Sequence, residues 1–193
     1  MIDTLHANRE RASKSNILDH LGIYRKEYVT ITLHRPSNVD NEEVLSELVQ
    51  AFDYIRKVST IVFPIHPRTR NNMRSMGMLQ VLERMENVML IEPVGYIDFL
   101  KFLSDSQVVM TDSGGIQEET TILGVPCLTL RDNTERPVTL TQGTNRLDKQ
   151  NREDIITAFN DCKINVDIQM AVPELWDGGA AKRIVEIISK LYL

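Results

Sequence analysis

The sequence predicts an α/β fold, in which a parallel β-sheet is flanked by helices on both faces. Short β-branched and aliphatic runs alternate five times with amphipathic segments of helical period, and the connections between them are short. Polar residues able to bind a ligand follow four of the five predicted strands, whereas the opposite edge has no comparable cluster. Since open parallel sheets bind ligands at the carboxyl ends of their strands, the same pattern predicts where the site lies.

The first part of the chain is expected to give a helix, a strand and a second helix. Residues 3–21 are expected to be helical, with a few apolar positions among many charges. The run Tyr28–Leu33 (YVTITL) is β-branched and ends at His-Arg-Pro, which predicts a short buried strand. A helix is expected over 42–57, because its apolar residues recur at steps of three and four and Asp40 or Asn41 can cap its start.

The next part repeats the alternation of strand and helix. Thr60–Ile65 (TIVFPI) predicts the second strand, and one or two short helices interrupted near Gly77 are expected within 68–85. Val88–Ile91 predicts a third strand. The amphipathic segment 96–105 predicts the helix that follows it.

The third part completes the predicted sheet. Val108–Thr111 predicts a fourth strand, and Ile116–Leu123 predicts a helix that Gly124 closes. Pro126–Leu130 predicts a fifth strand. The remaining segment is less regular up to an amphipathic helix at about 179–191.

Composition indicates one ordinary globular domain. The chain has 193 residues, 42% hydrophobic and 25% charged, and without a visible linker it is expected to form a single domain over 1–193. The net charge of -5 argues against a non-specific nucleic-acid binder, and no apolar run approaches the roughly 20 residues that span a bilayer. Cys127 and Cys162 are expected to be buried thiols in a reducing compartment, so we expect a cytoplasmic location.

The predicted ligand edge of the sheet is cationic although the whole chain is acidic. The basic residues expected there are His34, Arg35, His66, Arg68, Arg131 and Arg136. The guanidinium fork of arginine matches phosphate oxygens, so the cluster predicts a phosphorylated ligand.

Ser113, Gly114 and Gly115 join the fourth strand to its helix, where glycines allow close approach and free N–H groups point at an anion. The segment matches neither the dinucleotide G-x-G-x-x-G motif, nor a P-loop, nor the G-x-S-x-G elbow. Glu119 returns to the same helix face about 6 Å beyond Gly115, where a carboxylate could accept bonds from ribose hydroxyls. Glu118 is expected to pair with an arginine or to face water. Either glutamate could instead be only a favourable charge in the first helical turn.

Three segments resemble the C-terminal half of the non-hydrolysing UDP-N-acetylglucosamine 2-epimerases. They are HRPSNVDN (34–41), TDSGGIQEE (111–119) and RDNTERPVTLTQGTNRL (131–147), and the likeness extends over nearly the whole chain. The resemblance implies the C-terminal half of a GT-B fold, that is, a Rossmann-like UDP-binding domain. It also implies that a catalytic N-terminal domain is absent here and that the chain is a piece of a longer protein.

The resemblance assigns roles to individual residues. The expected UDP contacts are Ser113, Gly114 and Gly115 at the diphosphate, Glu119 at the ribose hydroxyls, Arg136 on the phosphate side and Phe99 beside the uracil. Candidates for further phosphate or regulatory contacts are Arg35, His66 and Arg68. Many members carry Glu where this chain has Ser37 and Val138. The change at Ser37 argues against regulation by a second UDP-GlcNAc.

The resemblance also implies a reaction, the interconversion of UDP-GlcNAc and UDP-ManNAc. UDP is eliminated to give a 2-acetamidoglucal and then re-added with the opposite configuration at C2. This needs neither a redox cofactor nor a metal. His34 would assist departure of UDP, whereas the carboxylates that handle the C2 proton belong to the other half. The isolated chain is therefore expected to bind UDP with little or no turnover, and the full-length protein is expected to be a homodimer that serves cell-surface polysaccharide synthesis.

Two other functions use the same edge of the sheet. One is the donor-binding half of a GT-B glycosyltransferase, which the combination of T-E-R-P with H-R-P-x-N disfavours. The other is a non-catalytic nucleotide-sugar sensor.

Overall fold

A six-stranded parallel β-sheet forms the centre of the molecule in the computed structural model, which describes residues 1–148, 150–164 and 172–192. The strand order is β3-β2-β1-β4-β5-β6. The strands are β1 (Tyr28–Thr32), β2 (Thr60–Pro64), β3 (Val88–Ile91), β4 (Val108–Thr111), β5 (Cys127–Leu130) and β6 (Asn145–Asp148). This is the order of a Rossmann-like doubly wound sheet, and the predicted fold class is confirmed.

Helices connect the strands and cover the sheet. In the first half they are α1 (Ile2–Ser13), α2 (Ile17–Leu21), α3 (Pro36–Val39), α4 (Glu42–Ile55), α5 (Pro67–Ser75) and α6 (Leu79–Glu83). In the second half they are α7 (Tyr96–Asp105), α8 (Gly114–Leu123), α9 (Val138–Thr141), α10 (Arg152–Ile164) and α11 (Ala180–Tyr192). Helices α4 and α10 pack together on one side of the sheet, and α1, α7 and α8 pack together elsewhere.

The hydrophobic core between the sheet and helices α4 and α10 is closely packed. Phe52 of α4 and Phe63 of β2 are 1% exposed and meet edge to face, with ring centroids 6.4 Å apart. Phe159 of α10 belongs to the same cluster and is fully buried. Burial of such rings is the main stabilising term of a fold of this size.

The expected continuous helix over 3–21 is wrong, because the chain breaks between α1 and α2. Ser15 accepts a hydrogen bond from the backbone N–H of Ile17 at 3.3 Å and donates one to the Asp98 carboxylate at 2.6 Å. A serine that offers the backbone a local partner favours a helix start over a helix interior.

Elements between β5 and α11 were missed, namely β6, α9 and α10, and the short α3 was also missed earlier in the chain. Strand β6 has the sequence NRLD, without the β-branched run that marks the other strands. Its Asn145 is 6% exposed and accepts a hydrogen bond from Thr129 Oγ1 of β5 at 2.7 Å. A buried amide paired with its neighbouring strand has no periodic signal in the sequence.

The last helix is confirmed with bounds close to those expected. The exposed fractions of its apolar side chains Ile184, Ile188 and Leu191 are 56%, 51% and 69%. Among the described residues, no helix has the length and apolar character needed to cross a membrane.

Candidate functional site

The change of direction in the strand order lies between β1 and β4, and a groove opens beside their carboxyl ends. Two adjoining cavities of about 190 and 370 Å³ form it, and both are lined by Phe99, Ser113 and Ile116. The smaller is bordered by His34 and the larger by Glu119. The predicted edge of the sheet therefore carries a continuous concave surface.

A larger cavity of about 610 Å³ lies between the start of α1 and α11. Its cation Arg183 is held by Asp177 at 2.9 Å, and apolar side chains such as Leu175 and Ile184 form much of its wall. It does not include the glycines that begin α8 or the histidines at the sheet edge, so we place the candidate site in the groove.

The start of α8 provides the anion-binding part of the groove. Ser113 is the N-cap residue, with φ -87° and ψ 127°, and its side chain makes no capping hydrogen bond. The first N–H groups of a helix have no partner within that helix and carry its positive dipole end. A Cβ on Gly115 would come within 2.6 Å of the Met1 side chain, and one on Gly114 within 3.4 Å of the Glu135 carboxylate. A side chain at Gly115 would therefore displace Met1, whereas one at Gly114 would make only an ordinary contact.

His34 and Asp112 are paired at the junction of β1 and β4. The distance from His34 Nδ1 to Asp112 Oδ1 is 2.9 Å. This hydrogen bond raises the pKa of His34, against the opposing effects of partial burial and of Arg35. Burial would raise the pKa of Asp112, but the bonds from His34 and from backbone N–H groups outweigh it and leave that pKa below its ordinary value. The pair therefore favours an imidazolium at the groove.

Glu119 lies one turn into α8 and is only 5% exposed. Its Oε1 accepts a hydrogen bond from the Tyr96 hydroxyl at 2.9 Å. Burial raises the pKa of Glu119, and the bond from Tyr96 opposes this rise. A buried carboxylate at the wall of a groove can accept hydrogen bonds from the hydroxyls of a ligand.

The arginines of the ligand edge are paired with carboxylates. Arg136 forms an ion pair with Glu118. Of the two expectations for Glu118, pairing with an arginine is therefore confirmed. Arg131 holds Glu135 through two bonds of 2.7 and 2.8 Å, and Arg35 approaches Glu135 at 3.4 Å. Local carboxylates thus balance the cationic cluster.

The two remaining candidate residues, His66 and Arg68, differ in their relation to the groove. His66 borders the smaller cavity, and its Nδ1 accepts a bond from the Arg68 backbone N–H at 3.2 Å. The Arg68 side chain instead forms an ion pair with Asp40. The predicted site residues that line the groove are therefore His34, His66, Phe99, Ser113, Gly115 and Glu119. Arg68 does not line it and is held by Asp40.

Two residues at the groove were missed as site residues. Asp112 accepts hydrogen bonds from residues more than 70 positions away in the chain. The Tyr96 hydroxyl donates a hydrogen bond to Glu119, which lies 23 positions further along the chain. An acidic residue directly after the predicted fourth strand is the sequence signal that could have identified Asp112. Within the described residues, no group of three or more His, Cys, Asp or Glu side chains is placed to hold a metal ion.

Comparisons with known proteins agree with the geometry. The family model of UDP-N-acetylglucosamine 2-epimerase matches residues 1–189. The UDP-N-acetylglucosamine 2-epimerase of Methanocaldococcus jannaschii is 39% identical over 170 residues, which are 84% of this chain and 44% of that protein. A homologue of this enzyme from Methanococcus maripaludis is 36% identical over 193 residues, 99% of this chain and 53% of that protein.

A solved structure of the M. jannaschii enzyme in complex with UDP-GlcNAc and UDP superposes with a TM-score of 0.86 at 36% identity, covering 98% of this chain and 52% of that chain. The chain spans about half the length of the relatives it matches. Sequence and fold agree along nearly all of it, and the chain belongs to the UDP-N-acetylglucosamine 2-epimerase family.

Proposed function

We propose that this chain is the UDP-binding domain of an enzyme that interconverts UDP-GlcNAc and UDP-ManNAc. The observation that carries the proposal is the order of groups along one groove: an imidazole, a glycine-rich helix start and a buried carboxylate one turn further on. The domain is taken as the whole of residues 1–193. Family membership favours this function over a glycosyltransferase donor domain.

Each part of UDP has a complementary group in the groove. Ser113, Gly114 and Gly115 offer backbone N–H groups and a hydroxyl to the diphosphate. Glu119 accepts hydrogen bonds from the ribose hydroxyls, since its carboxylate lies at the wall of the larger cavity. Phe99 borders both cavities and offers a ring face to the uracil.

The paired arginines add charge that binding can redistribute. In this proposal Arg136 turns from Glu118 towards the phosphate side, and Arg35 exchanges its long contact with Glu135 for a phosphate oxygen. His66 borders the cavity next to His34 and is the further candidate for a phosphate contact. Arg68 would first have to leave Asp40.

His34 supports the proposed elimination at the leaving group. The C1–O bond of the sugar breaks while the proton on C2 is removed, so UDP departs and a 2-acetamidoglucal remains. An imidazolium beside the diphosphate stabilises the charge that develops on the departing oxygen. Re-addition of UDP with protonation on the other face of C2 completes the epimerisation, without a cofactor. The proton at C2 is handled by carboxylates of the other half of the enzyme, so the chain alone binds UDP with little or no turnover.

Calorimetric titrations of the purified chain test this proposal. UDP is expected to bind more tightly than inorganic phosphate, and Glu119→Ala should lower UDP affinity about 10- to 100-fold, the range for hydrogen bonds to a charged group. Glu43→Ala, at an exposed position on α4, is the control and should leave affinity unchanged.

The same titrations with 2′-deoxy-UDP locate the contact. The wild type should discriminate against the deoxy ligand, and Glu119→Ala should lose that discrimination. Unchanged UDP affinity in a folded Glu119→Ala chain would contradict the ribose role. Failure of the wild type to bind UDP would contradict the proposed function itself.

A further inference from the structure

Asp112 lies at the end of β4 with no exposed surface, yet its carboxylate receives four donors. The backbone N–H groups of His34 and Arg35 donate to Oδ2 at 3.0 and 2.9 Å. Asn38 Nδ2 donates to the same oxygen at 3.1 Å, and His34 Nδ1 lies 2.9 Å from Oδ1. A fully buried charge is tolerated only with such compensation, so this carboxylate is fixed in place.

A second layer fixes the carboxylate from the side of β5. Asn38 is also fully buried, and its amide donates to the Leu130 carbonyl at 3.0 Å as well as to Asp112. Its own Oδ1 accepts a bond from Gln150 Nε2 at 2.9 Å. A chain of hydrogen bonds therefore runs from Gln150 through Asn38 and Asp112 to His34, and it links three segments of the chain: the stretch after β1, the end of β4 and the stretch after β6.

This arrangement determines the state of the His34 ring. A carboxylate accepts only, so Nδ1 must carry a hydrogen, and Nε2 lies on the side of the ring away from Asp112. The His34 side chain is 47% exposed and borders the smaller cavity together with Ser113. Its ring is thus anchored at one nitrogen and open at the other.

The charged and titratable groups around His34 are few among the described residues. Asp112 faces it from the end of β4, Arg35 follows it on the same loop, and His66 borders the same cavity from the end of β2. Arg35 is drawn towards Glu135. Asp112 is the group in direct contact with the ring, and its effect on the pKa of His34 exceeds that of Arg35.

We propose that Asp112 is a positioning residue for the reaction proposed above, one that holds His34 with a proton on Nδ1 and turns Nε2 towards the diphosphate. His34 then donates through Nε2 to a phosphate oxygen of bound UDP-sugar. When the C1–O bond breaks, this proton stabilises or neutralises the departing UDP oxygen, and Asp112 keeps its negative charge throughout. The inference rests on the proposed function, because it assigns a role within that site.

Nuclear magnetic resonance of the histidine side chains tests the positioning without any ligand. His34 is assigned from the spectrum of His34→Gln, and His6, His20 and His66 serve as internal controls. In the wild type, neutral His34 should carry its proton on Nδ1. Asp112→Asn keeps the size but lacks the charge, and its single oxygen should take the place of Oδ2, on which three donors converge. Its NH2 group then faces His34 Nδ1 as a donor, so the variant should lower the titration midpoint of His34 and move the proton of the neutral ring to Nε2.

Titration of the same proteins with UDP across pH 5.5 to 8.5 completes the test. Wild-type affinity should fall as pH rises through the pKa of His34. Asp112→Asn should weaken binding about tenfold at neutral pH and move that fall to lower pH, and Asp112→Asn in the His34→Gln background should add much less.

Each outcome separates the two proposals. A wild type that binds no UDP removes the proposed function and the positioning role with it. If the wild type binds UDP but neutral His34 carries its proton on Nε2, the positioning role alone is wrong. The same follows if a folded Asp112→Asn chain keeps the wild-type titration. The tautomer measurement needs only the wild type and His34→Gln, so it decides the question even if Asp112→Asn does not fold.

Discussion

At the scale of single residues, the pair of His34 and Asp112 makes stability depend on pH. Its contact with Asp112 raises the pKa of His34 in the folded chain, so the folded state binds more protons than the unfolded state. This stabilisation is fully present below the ordinary histidine pKa of about 6.5 and is lost as pH rises through the raised value. Asp112, whose folded pKa is lowered, contributes stability above its ordinary value and loses it at still lower pH.

The first prediction follows from this sign. Between pH 6 and pH 8.5 the wild type should lose more free energy of unfolding than His34→Gln, as measured by urea denaturation at each pH. His20→Gln, at an exposed position, should behave like the wild type. Parallel pH profiles for the wild type and His34→Gln would show that the pair contributes nothing to stability.

The His34–Asp112 pair stabilises the fold, whereas the charged form of Glu119 is not expected to do so. Burial raises the pKa of Glu119, which means that its charged form is disfavoured in the unliganded fold even with the Tyr96 hydroxyl bonded to it. Glu119→Gln should therefore leave the free energy of unfolding at pH 7 unchanged or raise it by up to about 1 kcal/mol, while UDP affinity falls.

Glu118→Gln on the same helix is the matched control. It removes an ion pair with Arg136 and should give no gain in stability. Urea denaturation in the absence of UDP measures both variants. A loss well above 1 kcal/mol in Glu119→Gln would show that the carboxylate serves the fold rather than a ligand.

At the scale of elements, the strands and helices that have a local sequence pattern were predicted correctly, whereas those that depend on packing against a neighbour were missed. The strands β1 to β5 carry β-branched or aliphatic runs, and the expected break near Gly77 separates α5 from α6. The polar strand β6 gives no such signal, because it is held by pairing with β5. Helix α10 buries Ile155, Ala158 and Phe159, but this apolar stretch is short and charged residues precede and follow it within the helix, so it shows only a weak helical period.

The candidate site divides in the same way. Ser113, Gly114, Gly115 and Glu119 form one short segment, so their spacing alone predicted their arrangement. Asp112 accepts hydrogen bonds from His34, Arg35 and Asn38, which are 74 to 78 positions away in the chain. Only the parallel pairing of β1 with β4 brings them together.

Helix α4 gives the prediction that belongs to this scale. Asn41 is the cap residue, as one of the two expected candidates, and its Oδ1 accepts bonds from the backbone N–H of Glu43 at 2.9 Å and of Val44 at 3.3 Å. Asn41→Ala should lower the free energy of unfolding by about 1 kcal/mol, the usual effect of losing an N-cap. Asn41→Asp, which keeps an acceptor, should change it little.

The measurement is urea denaturation together with UDP titration of the same variants. Asn41 lies outside the residues that border the groove, so UDP affinity should be unchanged in both. Equal stability of the Ala variant and the wild type would show that the cap is not needed, and a change in UDP affinity would show that α4 is coupled to the groove.

At the scale of the whole molecule, binding and chemistry should separate. All the groups that we assign to UDP lie on the sheet, helices and connecting segments of this chain, so the chain alone is expected to bind UDP. Ligand that binds the folded state alone stabilises it, by about 2.7 kcal/mol at a concentration one hundred times Kd. UDP should accordingly raise the Tm of the chain, and Glu119→Ala should reduce that rise at the same UDP concentration.

The last prediction is that the chain alone turns over little or no substrate, because the proposed mechanism assigns its catalytic groups to two halves of the enzyme. His34 can assist the leaving group, but removal of the C2 proton needs a base on the sugar, which we assign to the other half of the enzyme. The chain incubated with UDP-GlcNAc should therefore form little or no UDP-ManNAc, with a full-length epimerase such as the M. jannaschii relative as positive control. Formation of UDP-ManNAc in proportion to chain concentration, and its loss in His34→Gln, would place the base within this chain.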